Sequence, residues 1–315
     1  MSTPTEERAG FDPNTTDFSQ AAAPAPGGDG AAFAQRRAPH PDNPPWGVFA
    51  GIGVAVGMFV LMLALQLAFT VPYLFYRVRG GMTVAQAAEG MERDATFILL
   101  AVLSIIPAHL LTLLLCWAVV TGFGKRPFLA SLGWGWSPRY GRVEFFFLLG
   151  TTIAMLGVGH LMVLAFGDRE TSLSRMLASS PAARYAVAAL ATFTAPLVEE
   201  VVFRGVLYSA LRRRLGVVAS VVGVVAIFAA IHFPQYRESM AALVTITLLS
   251  LVLTAVRAWT SRLLPCVVIH LLFNGITSVF IVLAPEAAER APAPPPAPPA
   301  GALLQLLDPL FKLFV

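Results

Sequence analysis

Two adjacent carboxylates inside an apolar run are the residues of this sequence best suited to chemistry. Only Glu199 and Glu200 lie well inside such a run, because the other acidic residues fall in polar segments or at segment edges. A charge at the centre of a bilayer costs from about 2.5 to above 10 kcal/mol, so such side chains usually face the interior of a helical bundle and mark a function. Neighbouring residues of a helix project about 100° apart, so the two glutamates are expected to have different roles.

The position of Arg204 separates those roles. Arg204 follows Glu200 by four residues, which is the helical spacing at which two side chains meet. We expect Glu200 and Arg204 to form a buried ion pair with a structural role. Glu199 has no such local partner, so it is the candidate that accepts a proton from water.

Two histidines stand at the ends of later apolar runs. His232 closes a run that includes Phe228, and His270 precedes Asn274 by one helical turn, so that His270 and Asn274 share a helix face. A His and Asn pair of this kind could hold an oxyanion, bind a metal together with a carboxylate, or join two helices by hydrogen bonds.

The composition places these residues in a membrane protein. Of the 315 residues, 57% are hydrophobic and 13% are charged, and the mean hydropathy is +0.71, whereas soluble domains have about 45–50% apolar and about 25% charged residues. Continuous apolar runs of about 20 residues cross a bilayer as helices, because lipid offers no partner for backbone groups. The sequence therefore predicts an all-α polytopic membrane protein of about seven transmembrane helices. The seven runs are 46–76, 97–122, 145–166, 182–212, 215–233, 240–259 and 264–284.

The pattern divides the chain into four parts. Residues 1–45 are polar and rich in Ala, Pro and Gly, which predicts a disordered N-terminal tail. Residues 46–180 are expected to form the N-terminal transmembrane helices, and 181–285 a helical membrane core that carries the candidate residues. Residues 286–315 form a Pro-rich tail that ends in a short apolar segment.

Three other residues within the apolar runs are interpreted structurally. The run 182–212 is too long for one straight span, and Pro196 within it predicts a kink, since proline removes a backbone donor and clashes with the preceding turn. His109 and His160 match no motif, and we interpret both as packing residues or as hydrogen-bond partners between helices.

The basic residues indicate how the protein is oriented in the membrane and what kind of organism it comes from. More Lys and Arg residues flank the side that holds the N-terminus, which favours a cytoplasmic N-terminus. The predominance of Arg over Lys and the Pro- and Ala-rich tails indicate a bacterial protein of the inner membrane. A net charge of +4, with the basic residues scattered between apolar runs, indicates no nucleic-acid partner.

Three short motifs occur in order along the core. They are E-E-x-x-x-R at 199–204, F-x-x-x-H at 228–232 and H-x-x-x-N at 270–274. Together they resemble the motifs of the CAAX protease and bacteriocin-processing enzyme family, which includes the type II CAAX prenyl endopeptidases and many bacterial Abi-type membrane proteins. The resemblance covers roughly residues 182–284.

The resemblance implies an intramembrane endopeptidase that acts on a peptide or protein substrate at the lipid bilayer. The residue at the position of Glu199 would activate water with help from His232. His270 and Asn274 would steady the oxyanion of the tetrahedral intermediate. The residues expected to support the site are Glu200, Arg204 and Phe228.

Several alternatives stay open at this point. The site needs either no cofactor or a divalent metal such as zinc, which Glu199, His232 and His270 could bind. The chain could instead be a non-catalytic immunity or scaffold protein of the same fold. It could also be an ion or proton transporter, or a haem protein ligated by the two histidines.

Overall fold

The computed structural model describes residues 40–89, 91, 94–136, 141–167 and 169–283. Within this part of the chain every regular element is a helix, which confirms the expected all-α fold. Two segments within it are π-helical, π1 (Leu190–Thr194) and π2 (Glu200–Leu207). The predicted tail segments 1–39 and 286–315 lie outside the described residues. The α-helices are α1 (Val48–Arg79), α2 (Val84–Glu89), α3 (Ala95–Thr121), α4 (Phe128–Ser131), α5 (Gly141–Phe166), α6 (Ser172–Ser179), α7 (Pro181–Ala189), α8 (Ala195–Glu199), α9 (Tyr208–Tyr236), α10 (Met240–Thr260) and α11 (Leu264–Leu283).

Among the described residues, six helical runs are long and apolar enough to cross a membrane. The longest, Pro181–Tyr236, has 56 residues and would exceed a hydrocarbon core of about 30 Å more than twofold. It breaks at Gly216, whose φ of 77° lies in the region that favours glycine. The rings of Phe203 and Phe228 meet at 5.2 Å across this break, so the two halves run antiparallel. The run therefore supplies two crossings, in agreement with the expected number of about seven.

The predicted kink at Pro196 takes the form of a π-helix. In π1 the amide of Ala195 donates to the carbonyl oxygen of Leu190, five residues back. Continuing this register, the donor for the carbonyl oxygen of Ala191 would be the amide of residue 196, which proline lacks. Nδ2 of Asn274 on α11 supplies the missing hydrogen bond at 2.9 Å. A side chain from a neighbouring helix thus satisfies the carbonyl that the proline leaves without a backbone donor.

The second π-helical segment forms the centre of the core. All eight residues of π2 are buried, and it packs against α1, α3, α9, α10 and α11. Two of its carbonyl oxygens accept side-chain donors: that of Arg204 from Nε of Arg257 (3.2 Å) and that of Val206 from Nε1 of Trp46 (3.1 Å). Contacts from distant parts of the chain therefore hold this irregular helix in place.

Residues 40–46 pack against the end of the bundle where α10 finishes. Asp42 lies 2.8 Å from Nη1 of Arg257 and 2.8 Å from Nη1 of Arg212, and Arg213 donates to the carbonyl oxygen of Pro44 at 2.7 Å. The polar composition of residues 40–45 predicts that they belong to the disordered tail. They are instead ordered, since two arginines neutralise the carboxylate that the tail brings into the protein.

Candidate active site

A cavity of about 290 Å³ lies within the bundle. Its wall is mostly apolar and is built from α1, α3, α6 to α11 and π1. Four of the polar side chains that line it come from the sequence motifs and five do not. The four are Glu199, His232, His270 and Asn274, and the five are His109, Gln235, Tyr236, Thr277 and Ser278.

Glu199 and Glu200 face different environments, as the angle of about 100° between neighbouring helical residues predicts. The side chain of Glu199 is 19% exposed, and its Oε2 lies 3.9 Å from Nε2 of His270 across the cavity. Glu200 is fully buried, and its Oε1 accepts a hydrogen bond from Nη1 of Arg204 at 2.9 Å. The expected ion pair of Glu200 and Arg204 is therefore present, and Glu199 is the carboxylate that faces the cavity.

His270 connects the ion pair to the cavity. Its Nδ1 lies 2.8 Å from Oε1 of Glu200, and a carboxylate oxygen only accepts, so Nδ1 carries the proton. The other nitrogen, Nε2, is left facing Glu199. This contact joins residues from different helices, so neither helical spacing nor local motif could reveal it.

Arg204 has hydrogen-bond partners besides the carboxylate of Glu200. Its guanidinium donates to Oγ1 of Thr254 (3.2 Å) and to Oγ of Ser250 (2.8 Å), both on α10. The same group lies 4.6 Å from the ring centroid of Phe228. Arg204 is fully buried and does not line the cavity, which fits the supporting role expected of it. No local pattern in the sequence indicates that Ser250 and Thr254 are partners of Arg204, because they lie 46 and 50 positions away.

Local contacts also fix the ring of His232. Its Nδ1 lies 2.8 Å from the carbonyl oxygen of Phe228, so Nδ1 donates and the neutral ring has a lone pair on Nε2. The ring stacks on that of Phe228 with centroids 4.4 Å apart. Phe228 thus orients His232 on one side and covers Arg204 on the other, which explains why an aromatic residue stands one turn before the histidine.

Asn274 lies one turn beyond His270 and lines the same cavity. One proton of its Nδ2 is donated to the carbonyl oxygen of Ala191. The next residue, Gly275, lets α11 approach closely, since a Cβ there would lie 3.3 Å from Cγ2 of Thr192. The structure therefore gives Asn274 a hydrogen bond between helices, which is one of the roles that the sequence leaves open for it, in addition to its place at the cavity.

His109 was interpreted as a packing or interhelical residue and is a further polar group of the cavity wall. It lies on α3, and its Nδ1 is 3.0 Å from Oγ1 of Thr194. No motif signals it, because its relation to the site arises only from the packing of α3 against α7, α8 and π1. His160, the other histidine without a motif, does not line this cavity.

The donor and acceptor pattern of the site bears on what it could bind. Neutral His232 presents a lone pair at Nε2 and ionised Glu199 presents carboxylate oxygens, so both groups accept hydrogen bonds, whereas Nε2 of His270 accepts in the neutral ring and donates in the protonated ring. Within the described ranges, no group of three His, Cys, Asp or Glu side chains lies close enough together to be a candidate metal site. A water molecule, which has two protons to donate, matches this arrangement.

The segment that carries this site is similar to a known protein family. Residues 181–276 match the family model described as Type II CAAX prenyl endopeptidase Rce1-like. The matched segment contains all three motifs, which confirms the resemblance, and it leaves the described helices α1 to α6 outside. No curated protein and no solved structure matches the chain.

Proposed function

We propose that this protein is an intramembrane endopeptidase that hydrolyses peptide bonds of membrane-associated peptides or proteins. The observation that carries the proposal is the convergence of Glu199, His232 and His270 on one cavity. These residues belong to a segment that matches a family of prenyl endopeptidases. The candidate membrane-spanning helices support a location in the lipid bilayer, and we propose a bacterial inner membrane with the N-terminus in the cytoplasm.

In the proposed reaction a water molecule lies between the carboxylate of Glu199 and Nε2 of His232. Both groups accept hydrogen bonds, so they orient the water protons and direct its oxygen toward the carbonyl carbon of the substrate. Glu199 takes one proton as the new C–O bond forms. That proton passes to the leaving nitrogen as the C–N bond breaks, and the products are a carboxylic acid and an amine.

His270 and Asn274 are proposed to stabilise the negative charge that develops on the carbonyl oxygen. The Nδ1–H of His270 is already donated to Glu200, so the donor that faces the substrate is Nε2–H of the protonated ring. The carboxylate of Glu200 stabilises that positive charge. Asn274 has a second Nδ2 proton besides the one donated to Ala191.

Replacement of the proposed base tests this function. Wild type and the variants Glu199→Gln and Glu238→Gln are reconstituted in lipid vesicles with a pool of synthetic peptides that each carry an apolar segment. Products are identified by mass spectrometry. Glu238 pairs with Arg175 at 3.2 Å outside the cavity, so the same chemical change there is the matched control.

We expect at least one peptide to be cut by wild type and by Glu238→Gln and to stay intact with Glu199→Gln. Equal cutting by Glu199→Gln, or peptides that bind without being cut, would contradict the proposal, and the second result would favour the scaffold or immunity role. A parallel reaction contains a metal chelator. Activity that is lost there and restored by zinc would assign the water to a metal held by Glu199, His232 and His270, and would leave the peptidase function intact.

A further inference from the structure

His109 brings a polar group into the cavity from outside the family segment. It lies on α3, is only 6% exposed, and lines the same cavity as Glu199. The neighbouring cavity residues Val102, Ile105 and Leu190 have apolar side chains that offer no hydrogen bond. Because the family match begins at residue 181, no motif gives His109 a role.

The hydrogen bonds of His109 determine which ring nitrogen remains available. Oγ1 of Thr194 donates its single proton to the carbonyl oxygen of Leu190 at 3.2 Å. The same oxygen lies 3.0 Å from Nδ1 of His109, so Thr194 accepts this bond and Nδ1 carries the proton. In the neutral ring Nε2 then has a lone pair and is an acceptor.

The distance between His109 and Glu199 along the cavity follows from the helix that bears Glu199. Ala191, Ala195 and Glu199 all line the cavity, and their spacing of four residues places them on one face. Thr194, which holds His109, precedes Glu199 by five residues, or about 7 Å along the helix at about 1.5 Å per residue. His109 therefore marks a second polar level in the cavity, between one and two helical turns from the proposed base.

We propose that Nε2 of His109 accepts a hydrogen bond from a backbone N–H of the bound substrate, about two residues from the scissile bond. An extended peptide advances about 3.3 Å per residue. A chain lying along the face of Ala191, Ala195 and Glu199, with its scissile carbonyl at Glu199, brings an amide two residues away to the level of His109. The inference rests on the proposed function and adds a backbone subsite to it.

This subsite has a chemical consequence for the substrate. Proline has no amide proton, and an ester in place of the peptide bond has none either. Substrates with either group at this position leave Nε2 of His109 without a partner in an apolar wall, and they should bind less well. Substrates that differ only in side chains at this position keep the hydrogen bond.

The test uses a peptide that wild type cuts and Glu199→Gln does not, with each amide except the scissile one replaced in turn by an ester. For wild type we expect the ester about two residues from the scissile bond to raise KM about five- to tenfold, which corresponds to one hydrogen bond, with kcat changed less than twofold. His109→Leu should raise KM for the all-amide peptide by a similar factor and should no longer respond to that ester. His109→Gln, which has an acceptor oxygen, should restore part of the difference between amide and ester.

Thr112→Val is the matched control on the same helix. The hydroxyl of Thr112 bonds to the carbonyl oxygen of Ala108 at 2.8 Å and does not line the cavity, so this variant should keep the wild-type KM and the wild-type response to the ester. If His109→Leu keeps the ester response, or keeps the wild-type KM, the subsite is wrong while the peptidase function stands. If no peptide is cut in a Glu199-dependent manner, the proposed function fails and the subsite fails with it.

Discussion

Nδ1 of His270 lies 2.8 Å from Oε1 of Glu200, and the same oxygen accepts a hydrogen bond from Arg204 at 2.9 Å. One buried carboxylate oxygen therefore serves the structural ion pair and the histidine that faces the cavity. The charge of Arg204 balances that of Glu200 in the resting site. Glu200 is the negative group in direct contact with the ring of His270.

Removal of Arg204 should harm folding more than chemistry. In Arg204→Ala the carboxylate of Glu200 stays buried, and breaking such a pair typically costs about 3–5 kcal/mol. His270 keeps its contact with Glu200, so the folded fraction should retain most of its specific activity. The free energy of unfolding in mixed micelles and the activity per folded molecule are measured separately. A variant that accumulates normally and is inactive would show that Arg204 acts in the chemistry itself.

The pH dependence of hydrolysis should reveal both groups that hold the water. Glu199 accepts a proton only when ionised, and Nε2 of His232 accepts only when neutral, so kcat/KM should fall on the acidic side. If Glu199 and His232 both become protonated, the acidic limb of a plot of log(kcat/KM) against pH approaches a slope of about two. His232→Gln cannot be protonated in this range, so its limb should approach a slope of about one, at a lower maximum rate. An unchanged limb in this variant would exclude His232 from the step.

The division of labour between the glutamates could be predicted from sequence, because it depends only on helical phase and on the spacing to Arg204. The contact of Glu200 with His270 could not, since these residues lie 70 positions apart and no local pattern records their approach. The hydrogen bond of His109 to Thr194 agrees with the expected role between helices, but its place at the cavity could not be predicted for the same reason. The order of residues 40–45 could not be predicted either, because the arginines that Asp42 contacts, Arg212 and Arg257, lie far away in sequence and meet it only in the folded protein.

Asp42 should be essential for the stability of the end of the bundle to which it binds. Arg257 is fully buried and contacts Asp42 at 2.8 Å, so Asp42→Ala leaves a buried guanidinium without a carboxylate, at a cost of about 3–5 kcal/mol. Arg257 also donates to the carbonyl oxygen of Arg204 in π2, so faster hydrogen exchange of π2 amides should accompany the loss. Arg213→Gln is the control, because Arg213 donates to a backbone carbonyl oxygen, that of Pro44, and its cost should stay at about 1 kcal/mol. Equal costs for the two variants would contradict the role of the buried pair.

Asp94 lies at the junction of α1 and α3, and we expect it to make the stability of the fold depend on pH. Burial raises the pKa of Asp94, but the hydrogen bond from Tyr73, the amides of Phe97 and Thr96 and the charge of Arg77 outweigh it and hold the pKa below its usual value. Ionised Asp94 therefore stabilises the fold at neutral pH, and this contribution is lost as the pH falls through the lowered pKa.

The variant Asp94→Asn isolates that contribution, because asparagine still caps the start of α3. We expect its Tm to lie below that of wild type at about pH 7, and the difference to shrink as the pH approaches about 3. A difference that stays constant over this range would show that ionisation of Asp94 does not stabilise the fold.

Pro196 and Asn274 should be coupled through the carbonyl oxygen of Ala191. Asn274→Ala removes the side-chain donor from that oxygen and should cost about 1–3 kcal/mol, as expected for a buried group left without its hydrogen bond. Pro196→Ala restores a backbone N–H in the π-helical register of π1, so the double variant should be more stable than Asn274→Ala alone. Purely additive costs in the free energy of unfolding would show that the backbone amide does not replace the side chain.

Hydrolysis separates the structural role of Asn274 from the proposed stabilisation of the oxyanion. The double variant should regain stability but hydrolyse peptides slowly, because no amide side chain then faces the carbonyl oxygen of the substrate.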